Sequence, residues 1–446
     1  MSNTNLQFVP FDKELKGLVY MSDIDSTVDR YESVVAELGQ QKHPYIMKMF
    51  DKEREENILM LQSIGEVKQK MYLYLAGNNK LLTDKRLGDT DCLALYRTLS
   101  NNVYISVLDL RYNNITDEGA MHIGKLIEEN VTLSEVNLMC NDIEEKGAEH
   151  LAKALHTNGT LLTLRLNGNK MGNKGGMYFA QALQVNMSLQ CLDLGDTDLK
   201  IESIIALATV LHQNKTLRSL NVNRPILFTH QEETVVHMAN MLKVNNTLKE
   251  LHLEKYDMRD FGAARLSECL IENHSLTYLN LSCNRITRDG TKELAKVLKA
   301  STAIKTLDLG FNRLEDDGAK HIADALTVNY SLETLVIVSN NIASEGLCAL
   351  ANSLRLNCTL LRIFIWGNKL EEPACVAFAE IIKSGRLMQS DTDVKPYVVD
   401  EETRLCEMSH QIRRHYYYAP SYGDDVPSWQ PRGIHYKRTD TVTVRV

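Results

Sequence analysis

A repeat of 28 residues runs through most of this chain of 446 amino acids. Its core is leucine-x-leucine, with asparagine three positions after the second leucine and isoleucine, leucine or methionine two positions further on. Three weaker copies have Thr197, Pro225 and Tyr256 at the asparagine position, and eight of the nine steps are 28 residues long. The strong copies carry Asn113, Asn141, Asn169, Asn284, Asn312, Asn340 and Asn368. Such self-similarity is the signature of a stacked repeat array, and it decides the fold.

Two further positions follow the same period. Glycine stands six residues after the asparagine position in seven copies, for example Gly119 and Gly290. A second asparagine follows later in the repeat, and in eight copies it begins an Asn-x-Ser/Thr triplet such as Asn130-Val-Thr. Each triplet alone is a glycosylation acceptor pattern. Because all eight are locked to the period, we interpret them as structural turns from helix back to strand.

The pattern within one unit predicts a short strand, a turn and a helix. Both leucines of leucine-x-leucine point to one face of the strand, and the residue between them points to the other. Acidic residues such as Asp117 and Asp316 crowd the next helix start, which suits the positive end of a helix dipole. Because strands stack at about 4.8 Å and helices need about 10 Å, the array must bend with its strands inside. We expect about eleven strands in a concave parallel sheet.

This unit resembles the ribonuclease-inhibitor-like class of leucine-rich repeats over about residues 73–385. Segments such as GNNKLL, LDLRYNNI and IWGNK, and the later segments DVKPYVVD and RRHYYYAPSYG, narrow the resemblance to one family within that class. The resemblance implies an α/β horseshoe solenoid that binds other proteins and has no catalytic site of its own.

The segments outside the repeats differ from them in composition. Apolar spacing in residues 1–72 predicts a helical cap that covers the first strand, and residues 73–388 form the predicted solenoid. Residues 389–446 hold four of the eight prolines and six of the eighteen tyrosines. We expect that segment to be an irregular, aromatic C-terminal arm.

The strand residues that face away from the helices form the inner surface on which such arrays bind. In the middle copies they are polar and of mixed charge, whereas the last copies are apolar with a tryptophan and an arginine, as at an interface centre. Either a protein partner or the C-terminal arm could cover that apolar end, and the sequence leaves both open. The candidate contact residues are Val336, Val338, Arg362, Phe364 and Trp366 in the repeats and Arg413, Arg414, Tyr416 and Tyr417 in the arm.

No catalytic or metal-binding constellation stands out. His230 and His237 lack the i, i+4 spacing of a zinc helix, and no glycine-rich phosphate loop is present. With 58 acidic and 50 basic residues the chain has no general electrostatic reason to bind nucleic acid. No apolar run approaches the length of a membrane span, and nine cysteines without a C-x-x-C pair suggest reduced intracellular thiols. We expect no enzyme activity, no cofactor and no metal.

These observations favour a non-enzymatic interaction scaffold. The family that the chain resembles is associated with ciliated and germ-line cells, and related horseshoes are built into axonemes beside radial spokes and dynein regulators. The resemblance therefore implies a structural component of a cilium or flagellum, with a nuclear or nucleolar interaction protein of germ or stem cells as the alternative. Activators of the nuclear-transport GTPase have similar repeats but carry a long acidic tail. Residues 390–446 hold nine acidic and eight basic residues instead, which makes a small-GTPase regulator a weaker reading.

Overall fold

A computed structural model of the chain describes residues 23–65, 69–227, 232–300 and 303–408. Over these residues strands and helices alternate in a leucine-rich repeat solenoid, as the period predicts. Eleven strands form one parallel sheet whose spatial order is the order of the sequence. Each repeat therefore contacts the one before it and the one after it along the sheet.

The strands of the sheet are three to five residues long. They are β1 (Met71–Tyr74), β2 (Ile105–Asp109), β3 (Glu135–Asn137), β4 (Thr163–Arg165), β5 (Cys191–Asp193), β6 (Ser219–Asn221), β7 (Glu250–His252), β8 (Tyr278–Asn280), β9 (Thr306–Asp308), β10 (Thr334–Val336) and β11 (Arg362–Phe364).

The described residues form thirteen α-helices, of which the first two precede the sheet and the others follow its strands in turn. They are α1 (Ile24–Glu37), α2 (Pro44–Ile64), α3 (Asp89–Leu99), α4 (Asp117–Glu129), α5 (Glu145–Ala154), α6 (Gly172–Val185), α7 (Ile201–Leu211), α8 (Glu233–Val244), α9 (Asp260–Leu270), α10 (Arg288–Lys299), α11 (Glu315–Leu326), α12 (Ser344–Leu356) and α13 (Glu372–Lys383).

The register of the sheet follows the sequence period. Leu279 pairs with Leu307 in the next strand, 28 residues later, and Leu307 pairs with Leu335. The lengthened copy pairs Leu220 with Leu251. The spacing between β1 and β2 is longer still, because Leu73 pairs with Leu108. In this register the turn position of the first repeat is Asn78, not the adjacent Asn79.

The core is one continuous cluster of buried residues from Ile24 to Leu405. Strand leucines such as Leu279 and Leu281 meet the apolar faces of the helices there, and both are fully buried. Because every repeat shares its core with its neighbours, no single unit can bury its apolar face alone.

Two helices cover the first strand. The Tyr45 hydroxyl on α2 donates to the carbonyl oxygen of Ala76 at 3.0 Å. Asn102, in the first full turn from helix to strand, donates through Nδ2 to the hydroxyl of Thr27 on α1 at 2.7 Å. Strand β1 begins at Met71, two residues before the predicted start of the repeats.

Part of the predicted irregular arm is regular. Residues Val394–Val399 (β12) and Glu402–Glu407 (β13) form an antiparallel hairpin that contacts α13. Before it, a 3-10 turn at Gln389–Asp391 leads to Asp393, whose carboxylate accepts from the backbone nitrogens of Ile365 and Trp366 at 2.9 and 3.1 Å. The hairpin and this carboxylate cover the last repeat.

Candidate functional site: the concave face of the sheet

A ladder of turn asparagines holds the ends of the strands in place. Asn284 donates through Nδ2 to the carbonyl oxygen of Leu281 in its own repeat and to that of Leu253 in the preceding repeat, at 3.0 and 2.9 Å. Its Oδ1 accepts from the backbone nitrogen of Met258 at 3.1 Å. The same three-way bonding fixes neighbouring repeats to each other. It recurs at Asn113, Asn141, Asn169 and Asn312, and Asn340 and Asn368 likewise donate to both their own and the preceding repeat.

From Asn113 to Asn368, the residue before each turn position has a left-handed backbone. Gly168 and Gly367 take this conformation without a side chain, with φ of 77° and 81°. At other turns a residue with a side chain has the same left-handed conformation, as Cys140 and Cys283 do. A left-handed L residue costs roughly 1–2 kcal/mol, and the asparagine ladder offsets that cost.

The second asparagine of the repeat forms another ladder of side-chain hydrogen bonds, which runs along the opposite ends of the strands. Asn130 donates through Nδ2 to the carbonyl oxygens of Leu99 and Asn102, both at 2.8 Å, and accepts from the backbone nitrogen of Leu133 at 2.7 Å. The side-chain nitrogen that a sugar would occupy is thus buried and bonded. The ladder ends at Arg386, whose guanidinium donates to the carbonyl oxygens of Leu354 and Leu360.

A third ladder was not anticipated from the sequence. The acidic residue lies at the start of its own helix. Its carboxylate also accepts hydrogen bonds from backbone nitrogens at the start of the helix in the next repeat. Asp89 Oδ1 accepts from Thr116 and Gly119 at 2.8 and 2.9 Å. Asp316 does the same for Ala343 and Gly346, at 2.9 and 2.8 Å. The carboxylates therefore stabilise the N-terminus of a neighbouring helix.

Together the ladders fix a concave face whose middle part is charged. Glu250 and His252 of β7 are joined by a 2.6 Å contact between Oε1 and Nε2. The ring of His252 lies 4.9 Å from that of Tyr278 in the next strand. On the other side, Arg165 and Asp193 of β4 and β5 approach to 3.8 Å.

Burial and pairing oppose each other in this charged cluster. Burial alone would lower the pKa of His252, but the hydrogen bond and charge of Glu250 outweigh it and raise the pKa above its usual range. Burial likewise acts to raise the pKa of Glu250, yet the hydrogen bond and charge of His252 lower it. Burial raises the pKa of Asp193 despite the opposing charge of Arg165. The cluster carries both signs of charge on a fixed backbone.

The C-terminal end of the face is apolar. Val336, Val338 and Phe364 form a cluster of their own, distinct from the main core, and all three are at least 95% buried. Trp366 is half-buried and packs against the main core. Arg362 is half-buried, and its Nε lies 3.7 Å from Asp391.

The structure brings these five predicted contact residues together on β10, β11 and the turns that follow. The other four predicted contacts, Arg413, Arg414, Tyr416 and Tyr417, lie outside the described residues, as do most of the loop 227–233 and the final segment 439–446. His230 lies outside them as well.

Within the described residues no group of three or more histidine, cysteine or acidic side chains could hold a metal ion. Among the helices that the structure describes, none is long and apolar enough to cross a membrane.

Comparison with known proteins agrees with this architecture. A sequence profile of the family described as Leucine Rich repeat matches residues 101–124, 129–152, 157–180, 272–295, 300–323 and 328–351. Leucine-rich repeat-containing protein 34 of Mus musculus is 46% identical over 396 residues, which cover 89% of this chain and 94% of the mouse protein. The proteins of the same name from Rattus norvegicus and Homo sapiens are 51% and 50% identical, covering 89% and 87% of this chain and 94% and 85% of their own lengths.

Proposed function

This chain belongs to the family of leucine-rich repeat-containing protein 34, and from that premise we propose that it is a non-enzymatic scaffold that binds proteins on its concave face. The observation that carries the proposal is the set of three bonded ladders. They hold eleven strands in one rigid register, so that the face presents a fixed pattern of side chains to a partner. Preorganised surfaces bind with a smaller entropic cost.

The charged cluster of β4 to β7 is the proposed centre of recognition. Arg165, Asp193 and His252 present both signs of charge close together, which favours a partner segment of complementary mixed charge over a uniformly basic or acidic polymer. Asn167 and Asn221 on the same face are half-buried and carry amide nitrogens that can donate to a partner, while Asn221 Oδ1 accepts from the backbone nitrogen of Asn223 at 2.9 Å.

We further propose that the scaffold is part of a larger assembly, the axoneme of a cilium or flagellum, in the region of radial spokes or dynein regulators. The support for this location is the family resemblance described above. The same resemblance supports the alternative of a nucleolar interaction protein in germ or stem cells. Quantitative mass spectrometry of isolated axonemes and nucleoli from one ciliated tissue separates them: enrichment with the axonemal fraction is expected, and enrichment with nucleoli alone contradicts it.

Two substitutions on the concave face test the binding proposal. Asn167→Arg and Asn221→Arg add bulk and charge at positions outside the ladders, while Gln181→Arg and Gln184→Arg add the same charge on the exposed face of α6. In cross-linking pull-downs from native tissue, the concave pair should lose the proteins that wild type retains. The helix pair should keep them. Equal retention by both pairs, with matching thermal stability, contradicts the proposal.

A further inference from the structure

The ends of three successive helices, together with the turns that follow them, carry basic residues and no acidic ones. They comprise residues 181–190, 209–218 and 240–249, after which β5, β6 and β7 begin. These segments contain Lys215, Arg218, Lys243 and Lys249, in a chain whose net charge is −8. The edge of the solenoid at these turns is therefore locally positive.

Backbone hydrogen bonds place two of the cations side by side. The backbone nitrogen of Arg218 donates to the carbonyl oxygen of Gln190, and that of Lys249 donates to the carbonyl oxygen of Arg218, both at 2.7 Å. The three residues therefore follow one another at the strand spacing of about 4.8 Å. Lys215 and Arg218 are exposed, and Lys249 is half-buried. Lys215 and Lys249 form no ion pair within the part of the chain that the structure describes.

Apolar side chains are exposed in the same segments. Val185, Met187 and Val244 are 54%, 74% and 59% exposed. The turns do not need these side chains for their conformation, because the second asparagine of each repeat fixes the backbone, as Asn186 does by donating to the carbonyl oxygen of Leu155 at 2.7 Å. Exposed apolar residues with polar residues around them are typical of an interaction surface.

The helix dipole explains one of the cations but not the others. A lysine in the last turn of a helix is favoured by the negative end of the dipole. Lys243 lies there on α8, and it also pairs with Glu272 at 2.9 Å. Arg218 and Lys249 lie directly before β6 and β7, beyond the last turn of any helix. Their charge is therefore available to a partner.

The composition of the three segments favours a protein partner over a nucleic acid. None of the segments contains phenylalanine, tyrosine or tryptophan, so they offer no aromatic surface on which bases stack. Aliphatic side chains beside cations instead complement a helix whose apolar face is flanked by carboxylates.

We propose that this surface, which we name the basic rim, docks a short helix of another protein that carries acidic residues beside an apolar face. The basic rim consists of Val185, Met187, Lys215, Arg218, Val244 and Lys249. Gln190 and Lys249 are two strand spacings apart, or about 10 Å, which matches the diameter of one helix. A single helix therefore reaches both the cations and the apolar side chains. This proposal does not rest on binding at the concave face.

Fluorescence anisotropy with the full chain tests the chemistry of the partner. The probe is a labelled peptide of about 14 residues, which spans about 21 Å as a helix, with leucine at i, i+3 and i+4 spacing and glutamate and alanine elsewhere. We expect it to bind, and we expect a version with lysine for glutamate not to bind. A version with serine for leucine should bind at least about tenfold more weakly, because it buries no apolar surface. No binding of the leucine peptide, or equal binding of the serine peptide or of oligouridylate, overturns the proposal.

Variants of the chain locate the binding site. K215E/R218E/K249E should weaken binding of the leucine peptide at least about tenfold, since three charge pairs become repulsive. The control K146E/K170E/R313E makes the same change of charge at exposed residues outside the basic rim and should leave binding within about twofold of wild type, because charges beyond a Debye length are screened.

A third variant tests the apolar contact without changing charge. Met187→Ser removes a side chain that is 74% exposed, so it should leave thermal stability unchanged and weaken binding of the leucine peptide severalfold. Wild-type affinity in both Met187→Ser and K215E/R218E/K249E overturns the proposal. Equal weakening by K215E/R218E/K249E and by its control also overturns it, since binding then follows net charge alone.

Discussion

Asp260 Oδ1 accepts a hydrogen bond from the backbone nitrogen of Gly290, one repeat further along the chain, at 3.0 Å. It also accepts from Thr287 at 2.8 Å. A β-carbon at position 290 would lie 2.6 Å from that oxygen, so the repeated glycine is the position that lets the carboxylate approach the helix. The repeated glycine and the acidic residue at the helix start, which recur separately in the sequence, therefore act together at one contact between neighbouring repeats.

Gly290→Ala should therefore destabilise the protein by about 1–3 kcal/mol, because the new methyl group also lies 2.9 Å from Ile286 Cγ2. Urea unfolding measures the change. Gly159→Ala is the matched control, since nothing lies within 4 Å of its β-carbon. Equal stability of the two variants would show that the glycine column has no steric role.

Asn284→Ala should cost roughly 1–3 kcal/mol, because it leaves buried backbone groups of its own and the preceding repeat without partners. Thermal unfolding against Asn246→Ala, an exposed asparagine, checks this. A wild-type melting temperature for Asn284→Ala would contradict the turn ladder.

Leu309→Ala should cost about 2–5 kcal/mol, since it removes a fully buried side chain from the shared core. Leu361, which is 48% exposed, provides the control substitution Leu361→Ala. If both variants unfold at the same denaturant concentration, Leu309 does not join neighbouring repeats.

The pair of Glu250 and His252 predicts a pH dependence. The lowered pKa of Glu250 adds stability above about 4.5 that is lost as pH falls through its folded value, and the raised pKa of His252 adds stability below about 6.5 that is lost as pH rises through its own. His252→Gln should therefore destabilise the protein more at pH 6 than at pH 8.5. The exposed His274→Gln is the control. The same loss for His252→Gln at both pH values contradicts the charged pair.

The fold follows from the sequence because its main determinant is periodic. The strand leucines and turn asparagines recur at one spacing, and a stacked array converts that spacing directly into sheet register, as the pairing of Leu279 with Leu307 shows. The register between β1 and β2 does not follow from the period, because Leu73 pairs with Leu108 across a longer insertion.

Other features depend on contacts that a single repeat does not contain. The carboxylate of Asp260 suits its own helix start when its sequence is read locally, and only stacking brings it to Gly290. The hairpin of β12 and β13 turns through Asp400 and Glu401, both with a left-handed backbone. That turn lacks the Asn-Gly pair that usually marks such a hairpin in a sequence.

The candidate site, too, is predicted by the sequence only in part. Alternation in the strands places Val336, Phe364 and His252 on the concave face, because the flanking leucines face the helices. The 2.6 Å contact between Glu250 and His252 depends on side-chain conformations that the repeat pattern does not encode.

Cross-linking mass spectrometry of the native complex is the most direct test that the concave face is the binding surface. With the cross-linking groups placed at Asn167 and Asn221 on the inner face and at Gln181 and Gln184 on α6, we expect partner peptides to attach to the first pair. Attachment to α6 alone would contradict it.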